Sequence, residues 1–280
     1  MVSCSLVALP SVFRKVPYGL FSLVFPDECR ICKVELSGCT RLPVCASCLT
    51  SLSPLAAEYF CVSCRTPLLN RFPLNERGMC RLCHTEARGF DAAYCFGAFD
   101  GTLRELIHLF KYDRMKPLAK TLAAYLATVL PRERRNDVVV PMPLHWRRRW
   151  QRGFNQSELL ARATARRSES PRVNAVRRTR ATAAQAGLSN AGRRENVAGT
   201  FWVRKPRAIE ARHVLLIDDV MTTGVTASSC ALALKRAGAK FVALLALARV
   251  DRRLFKPAND APEPDSKGFA SAFSKMTGVS

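Results

Sequence analysis

Three stretches of this chain are apolar almost without interruption. They lie at residues 137–141 (DVVVP), 213–219 (HVLLIDD) and 241–250 (FVALLALARV). Such runs are typical of strands that are buried on both faces of a parallel sheet. The segments between them carry apolar residues at helical spacing. The pattern therefore predicts an α/β fold in which a parallel sheet is flanked by helices.

Four helices are predicted from the apolar spacing and from residues that begin or end helices. They are expected at residues 103–110, 117–130, 156–167 and 227–237. Asn155 is a suitable N-cap for the third helix, and Gly238 ends the fourth. A short strand is expected before the turn at Asp100 and Gly101, and another at residues 173–176.

Composition divides the chain into four expected parts. These are an amphipathic leader helix (1–25), a cysteine-rich module (26–89), the α/β domain (90–250) and a disordered tail rich in Pro, Asp and Ser (251–280). The leader has Arg14 and Lys15 in its middle, whereas a secretory signal places its charge first. No apolar run is long enough to span a bilayer. We therefore expect a cytoplasmic protein without stable membrane insertion.

The chain is strongly basic, with 44 Lys and Arg against 22 Asp and Glu and a formal net charge of +22. An excess of this size favours a polyanionic partner such as nucleic acid, an anionic membrane or a phosphorylated substrate. A general compositional bias toward arginine is the alternative explanation.

Eight of the 12 cysteines form four C-x-x-C pairs, which are Cys29/Cys32, Cys45/Cys48, Cys61/Cys64 and Cys80/Cys83. Each pair places two thiolates on one turn, and two turns complete a tetrahedral zinc site. The spacing predicts a double zinc ribbon that holds two structural Zn²⁺ ions. Sequential pairing of the motifs is favoured over a crossed arrangement. A disulfide scaffold is the alternative, which a cytoplasmic location disfavours.

Two adjacent acids, Asp218 and Asp219, stand where the second apolar strand is expected to end, and a loop rich in threonine follows them. The turn before the next helix offers backbone N–H groups and a helix N-terminus, which together bind anions. Carboxylates beside a phosphate site would repel the phosphate unless the ligand also carries hydroxyl groups for them. The combination therefore predicts a ribose 5-phosphate ligand.

The segment LLIDDVMTTGVT closely resembles the signature of type I phosphoribosyltransferases. Together with PMPLHWRRRWQRGFNQ, the stretch RTRATAAQAGLSNAGRRENVAGTF and LFKY, it resembles the ComF/GntX family of competence proteins. The resemblance implies that Asp218 and Asp219 bind the ribose hydroxyls of phosphoribosyl pyrophosphate, accompanied by Mg²⁺. The 5-phosphate would then lie on the loop formed by Met221, Thr222, Thr223, Gly224, Val225 and Thr226.

Further ligand contacts are expected from three other segments. Pyrophosphate or DNA phosphates are assigned to Arg147, Arg148, Arg149, Arg152 and Lys111. A flexible loop at 178–196 would contribute Gln185, Arg194 and Asn196, as the resemblance implies. Trp146 and Trp150 are candidate stacking faces for bases, since aromatic side chains among arginines suit single-stranded nucleic acid. The alternative for both tryptophans is packing in the core at i, i+4 on a helix.

Three functions remain open on the sequence. The first is a ComF-like protein that binds phosphoribosyl pyrophosphate and incoming single-stranded DNA during natural transformation, with other components of the transformation machinery as further partners. The second is an active phosphoribosyltransferase that acts on a nucleobase or amine. The third is a zinc-ribbon adaptor for protein partners. A phosphate-and-ribose site is better supported than catalysis, because no substrate-binding hood is recognisable.

Overall fold

The computed structural model describes residues 28–36, 42–68, 71, 74–85, 88–113, 115–131, 136–146, 150, 152–179 and 200–250. The expected leader helix and tail lie outside the described residues. So do Arg147, Arg148 and Arg149, and also Gln185, Arg194 and Asn196 of the expected flexible loop.

In the described part of the chain the central sheet has four parallel strands, β3 (Ala92–Ala98), β4 (Val138–Pro141), β7 (His213–Met221) and β8 (Phe241–Arg249). They lie in the order β3, β8, β7, β4. The apolar runs 214–217 of β7 and 242–248 of β8 are buried, as their sequences predict. The predicted α/β class with a parallel sheet is confirmed.

The described helices cover both faces of this sheet. They are α1 (Ala46–Thr50), α2 (Arg81–His84), α3 (Gly101–Tyr112), α4 (Leu118–Thr128), α5 (Gln156–Arg167) and α6 (Val225–Arg236). On β7, Val214 and Leu216 face a core that includes α6, whereas Leu215 and Ile217 face a core that includes α3, α4 and α5. The alternation of strand side chains thus explains why one sheet carries two cores.

A small antiparallel hairpin lies beside the central sheet, and its position and pairing differ from what the sequence predicts. It consists of β5 (Val176–Arg178) and β6 (Phe201–Val203). The strand expected at 173–176 begins only at Val176, and Arg172 makes a single bridge to Val139 instead. β6 was not predicted, because a three-residue strand is too short to show an alternating pattern.

The cysteine-rich segment packs onto the sheet domain. It contributes α1, α2 and a two-stranded hairpin of β1 (Tyr59–Phe60) and β2 (Pro67–Leu68). Cys29 and Cys48 join the core on the α3 face, whereas Cys61 and Cys64 join the core on the α6 face. The expected domain boundary near residue 90 stays a prediction, but the hydrophobic cores on its two sides are continuous.

None of the helices in the described ranges is both long enough and apolar enough to cross a membrane.

Candidate functional site

The acidic pair, Asp218 and Asp219, lies near the carboxyl end of β7, which continues past it to Met221, farther than the sequence predicts. Asp218 Oδ1 accepts hydrogen bonds from Ser157 Oγ at 3.1 Å and from the Asp219 backbone N–H at 2.9 Å. Asp219 Oδ2 lies 3.1 Å from Lys111 Nζ, and both side chains of this ion pair are only 14% exposed. The site therefore combines two carboxylates with one lysine at the edge of the sheet.

The pKa of Asp218 is raised to about 7, mainly by burial and also by the adjacent charge of Asp219. The Asp219 backbone amide, the charge of Lys111 and the Ser157 hydroxyl act in the opposite direction without cancelling the rise. The carboxyl of Asp218 is thus held close to half-protonated at neutral pH. A ligand that donates hydroxyl groups to it, or a cation that binds it, would favour its ionised form.

The threonine loop, Met221–Thr226, turns from β7 into α6. Gly224 is the N-cap of this 12-residue helix and has φ +77°, a conformation that glycine adopts with little strain. No side chain of the described residues caps the helix, so its first N–H groups are not used by a capping group. Thr222, Thr223 and Thr226 are exposed beside them. Helix dipole, N–H groups and hydroxyls together suit an anion.

Residues in and just after the segment that holds Cys80 and Cys83 pack against the threonine loop and the start of α6. A Cβ atom on Gly224 would lie 2.9 Å from Leu82 Cδ1 and 2.8 Å from Met221 Cε. The backbone N–H of Gly89 also donates to Ser228 Oγ at 2.6 Å, one turn into α6. Leu82 belongs to α2, between Cys80 and Cys83. No pattern in the sequence connects Leu82 with Gly224, so this contact was not predicted.

Lys111 and Arg152 are linked through the start of α5. Gln156 Nε2 donates to the Lys111 carbonyl at 3.4 Å, and Arg152 Nη1 donates to Gln156 Oε1 at 3.3 Å. The Arg152 guanidinium also lies over the Tyr112 ring, 5.3 Å from its centroid. Asn155 caps α5 as predicted, since its side chain accepts from the Ser157 N–H at 3.1 Å. The cap places Ser157 against Asp218, a role that the sequence did not reveal.

Both candidate stacking residues are solvent-exposed. Trp146 is 61% and Trp150 is 85% exposed. The alternative interpretation, in which the two tryptophans pack in the core, is therefore wrong. Exposed tryptophans can contact a ligand, whereas buried ones would be structural. The Trp146 ring also lies 5.6 Å from the His145 ring.

The eight paired cysteines form two groups in which the four sulfur atoms lie within 4.8 Å of one another. The groups are Cys29, Cys32, Cys45 and Cys48, and Cys61, Cys64, Cys80 and Cys83. Three sulfur–sulfur distances across these groups are 3.5, 3.7 and 3.9 Å. Thiolates around zinc with Zn–S bonds of about 2.3 Å stand about 3.8 Å apart. Both groups therefore fit a tetrahedral zinc ion, and the motifs combine sequentially.

Hydrogen bonds to sulfur strengthen this interpretation. The backbone N–H groups of Cys45 and Cys80 donate to Cys29 Sγ at 3.3 Å and to Cys61 Sγ at 3.2 Å. Such contacts favour the thiolate form that a metal needs. His84 is not a member of either group.

Comparison with known proteins gives relatives over most of the chain. The chain is 31% identical over 235 residues to DNA utilization protein YhgH of Escherichia coli strain K12, covering 81% of this chain and 99% of that protein. It is 30% identical over 178 residues to competence protein F of Haemophilus influenzae, covering 61% and 78%. Competence protein ComFC of Bacillus subtilis is 32% identical over 124 residues, which is 44% of each chain.

Similarity to solved structures is partial. A glutamine phosphoribosylpyrophosphate amidotransferase from Bacillus subtilis, complexed with ADP and GMP, matches with a TM-score of 0.34 and 21% identity. The match covers 46% of this chain and 26% of that one. No family model matches the chain.

Proposed function

We propose a function for this protein on the basis that its chain belongs to the ComF family of competence proteins. The protein binds phosphoribosyl pyrophosphate, or a related ribose 5-phosphate, and it binds incoming single-stranded DNA in the cytoplasm during natural transformation. Two of its relatives are named for DNA utilization and for competence, which supports a role with DNA.

The chain has a phosphoribosyltransferase-like fold. Its four-stranded parallel sheet carries helices on both faces, a strand-end acidic pair and a glycine-capped helix. Two four-cysteine groups of the zinc-ribbon type are packed against that sheet. Ligands of open α/β sheets bind at the carboxyl ends of the strands, where this acidic pair lies.

One observation carries the phosphoribosyl proposal: two carboxylates near the end of β7 are followed, a few residues later, by a helix N-terminus with exposed threonines. The Asp218 and Asp219 carboxylates would accept hydrogen bonds from the two ribose hydroxyls. The N–H groups and hydroxyls of the threonine loop would donate to the 5-phosphate. Lys111, beside Asp219, would offset the negative charge of the ligand. Mg²⁺, when bound with the pyrophosphate, would supply further positive charge.

DNA binding is proposed for the segment around Trp146, Trp150 and Arg152. Exposed aromatic side chains stack on unpaired bases, and arginines neutralise phosphates. Arg147, Arg148 and Arg149 lie in the same segment of the sequence and are proposed to bind phosphates as well. The net charge of +22 supports a polyanionic partner.

A titration with fluorescent oligonucleotides tests the DNA proposal. The protein is expected to bind single-stranded DNA more tightly than a duplex of the same length, with an affinity that falls as salt increases. Replacing the four arginines at 147, 148, 149 and 152 with alanine should flatten the salt dependence on single strands by about 0.7 for each phosphate that is no longer neutralised. No preference for single strands over heparin would contradict the proposal.

The pKa of Asp218 supports a second candidate, an active phosphoribosyltransferase. A carboxyl with a pKa of about 7 could take a proton from an attacking base or amine at neutral pH. The measurement is release of pyrophosphate from phosphoribosyl pyrophosphate in the presence of nucleobases. Turnover that Asp218→Asn abolishes would favour the enzyme over the binding protein.

A further inference from the structure

A cavity of about 320 Å³ lies between the loop after β4, the start of α5 and the β5–β6 hairpin. It is separate from the acidic pair. Ser157 of α5 contacts Asp218, whereas its neighbour Glu158 lines the cavity. Prolines and aliphatic side chains form part of its wall. The polar and aromatic residues of the wall include Trp146, Asn155, Asn174, Arg177, Arg178 and Arg204.

The charge of this wall is positive. Three arginines line it, and Arg177 and Arg204 among them are solvent-exposed. The one carboxylate among the lining residues, Glu158, is engaged by Arg172 Nη1 at 3.4 Å. The cavity therefore attracts an anionic ligand, and the paired N–H donors of the arginine guanidinium groups match the oxygens of a phosphate.

The shape and chemistry of the wall suit a flat ring with a polar edge. Trp146 is 61% exposed, its ring lies 5.6 Å from the His145 ring, and it lines the cavity together with the apolar side chains of Leu144 and Val176. The guanidinium groups of the lining arginines supply polar donors beside this apolar surface. A volume near the lower end of the usual range for ligand cavities, about 300–1,000 Å³, fits one ring system better than a larger ligand. An unpaired nucleobase carrying its own phosphates has these properties together.

The wall is held in place before any ligand arrives. Asn155 is buried and bonded at both ends of its amide, since its Nδ2 donates to the Met142 carbonyl at 3.0 Å and its Oδ1 accepts from the Ser157 N–H at 3.1 Å. Asn174 Nδ2 donates to Glu158 Oε1 at 3.2 Å. A wall that is already ordered reduces the entropy cost of binding.

We propose that this cavity binds one unpaired base of single-stranded DNA, stacked on Trp146, with the flanking phosphates on Arg177 and Arg204. The proposal rests on the proposed DNA binding and assigns its base-binding position. It places stacking on Trp146, because Trp150 does not line the cavity. Stacking of one base is worth about 1–3 kcal/mol, which is about a 5- to 150-fold change in affinity.

The test compares a labelled thymidine homopolymer with an abasic strand of the same length, which keeps the phosphates but lacks the bases. Wild type and the control Trp202→Ala, which replaces a tryptophan of similar exposure that does not line the cavity, should both prefer the strand with bases. Trp146→Ala should lose about 5- to 150-fold in affinity for that strand and bind the two strands alike. The double variant Arg177→Ala/Arg204→Ala should weaken both strands and reduce the salt slope by about 1.4. Trp146 is exposed, so its replacement should leave the melting temperature unchanged.

Each contrary outcome has its own meaning. A wild-type protein that binds neither strand would refute the proposed function itself. If wild type binds DNA but Trp146→Ala keeps the preference for bases, or behaves like Trp202→Ala, the cavity assignment is wrong while DNA binding stands. Competition by thymidine monophosphate as effective as by the strand would assign the cavity to free nucleotides and overturn the proposal.

Discussion

Replacing Asp218 with asparagine should make the protein more stable at alkaline pH while removing a ligand contact. Asn and Asp have the same shape, and both hydrogen bonds at this position go to one oxygen, Oδ1, from Ser157 and from the Asp219 amide. An asparagine oxygen in the same place can accept both. The substitution therefore removes the charge and leaves the hydrogen bonds.

The magnitude follows from the pKa of Asp218, which rises from 3.8 to about 7 on folding. A carboxyl whose pKa is raised in the folded state binds its proton more tightly there, so stability falls as the pH rises from 3.8 through 7. The cost of the ionised carboxylate is about 0.6 kcal/mol at pH 4, about 1.7 kcal/mol at pH 5 and about 4 kcal/mol at pH 8. The Asp218→Asn variant does not carry this cost, because its amide stays neutral at every pH.

Thermal unfolding followed by circular dichroism at pH 5 and pH 8, at equal zinc concentration, measures the effect. For a chain of this size 1 kcal/mol corresponds to about 2–4 °C in Tm. Asp218→Asn should therefore melt up to about 8–16 °C above wild type at pH 8, and the difference should shrink by more than half at pH 5. Asp219→Asn is a comparison variant: it leaves Asp218 buried and titrating but removes the neighbouring charge that also raises the pKa of Asp218, so it should give a smaller stabilisation at pH 8 than Asp218→Asn. The reasoning would be refuted if Asp218→Asn did not raise the Tm at pH 8, or if it raised the Tm equally at both pH values.

Three further predictions follow from the packing around the site. Purified protein should contain close to two zinc ions per chain by metal analysis. The Cys61→Ser/Cys64→Ser variant should lose one zinc ion and bind phosphoribosyl pyrophosphate more weakly, because the second cysteine group packs beside the threonine loop. Unchanged binding in a variant that has lost one zinc ion would contradict this link between the zinc group and the loop. Leu82→Ala should weaken that binding, measured by calorimetry, more than the control Leu68→Ala, because Leu82 supports the threonine loop; equal effects would indicate general destabilisation. Lys111→Met should lower the Tm by at least about 2 °C, because it removes the cation that pairs with the acidic pair; an unchanged Tm would mean that the ion pair is not stabilising.

The central sheet could be predicted because its strands are buried on both faces. The runs at 214–217 and 241–248 have no polar interruption, and only a doubly covered strand tolerates that pattern. The acidic pair and the threonine loop were predictable for a related reason. Polar residues that directly follow such a strand must lie at the edge of the sheet.

Features that depend on contacts distant in sequence could not be predicted. The packing of the two cysteine groups on opposite faces of the sheet, and of Leu82 beneath Gly224, follows from the tertiary arrangement alone. The β5–β6 hairpin was missed because its two strands are three residues each and far apart in the chain. The cavity next to Trp146 depends on this hairpin, so it could not be anticipated either.

Calorimetric titration of phosphoribosyl pyrophosphate with Mg²⁺ into wild type and Asp219→Asn tests the central claim most directly. Wild type should bind one molecule per chain. Asp219→Asn should bind at least about 10-fold more weakly, since a hydrogen bond to a charged group contributes about 1.5–3 kcal/mol, and its far-UV circular dichroism should be unchanged. No heat of binding with wild type, or equal affinity in the variant, would contradict the assignment of this site.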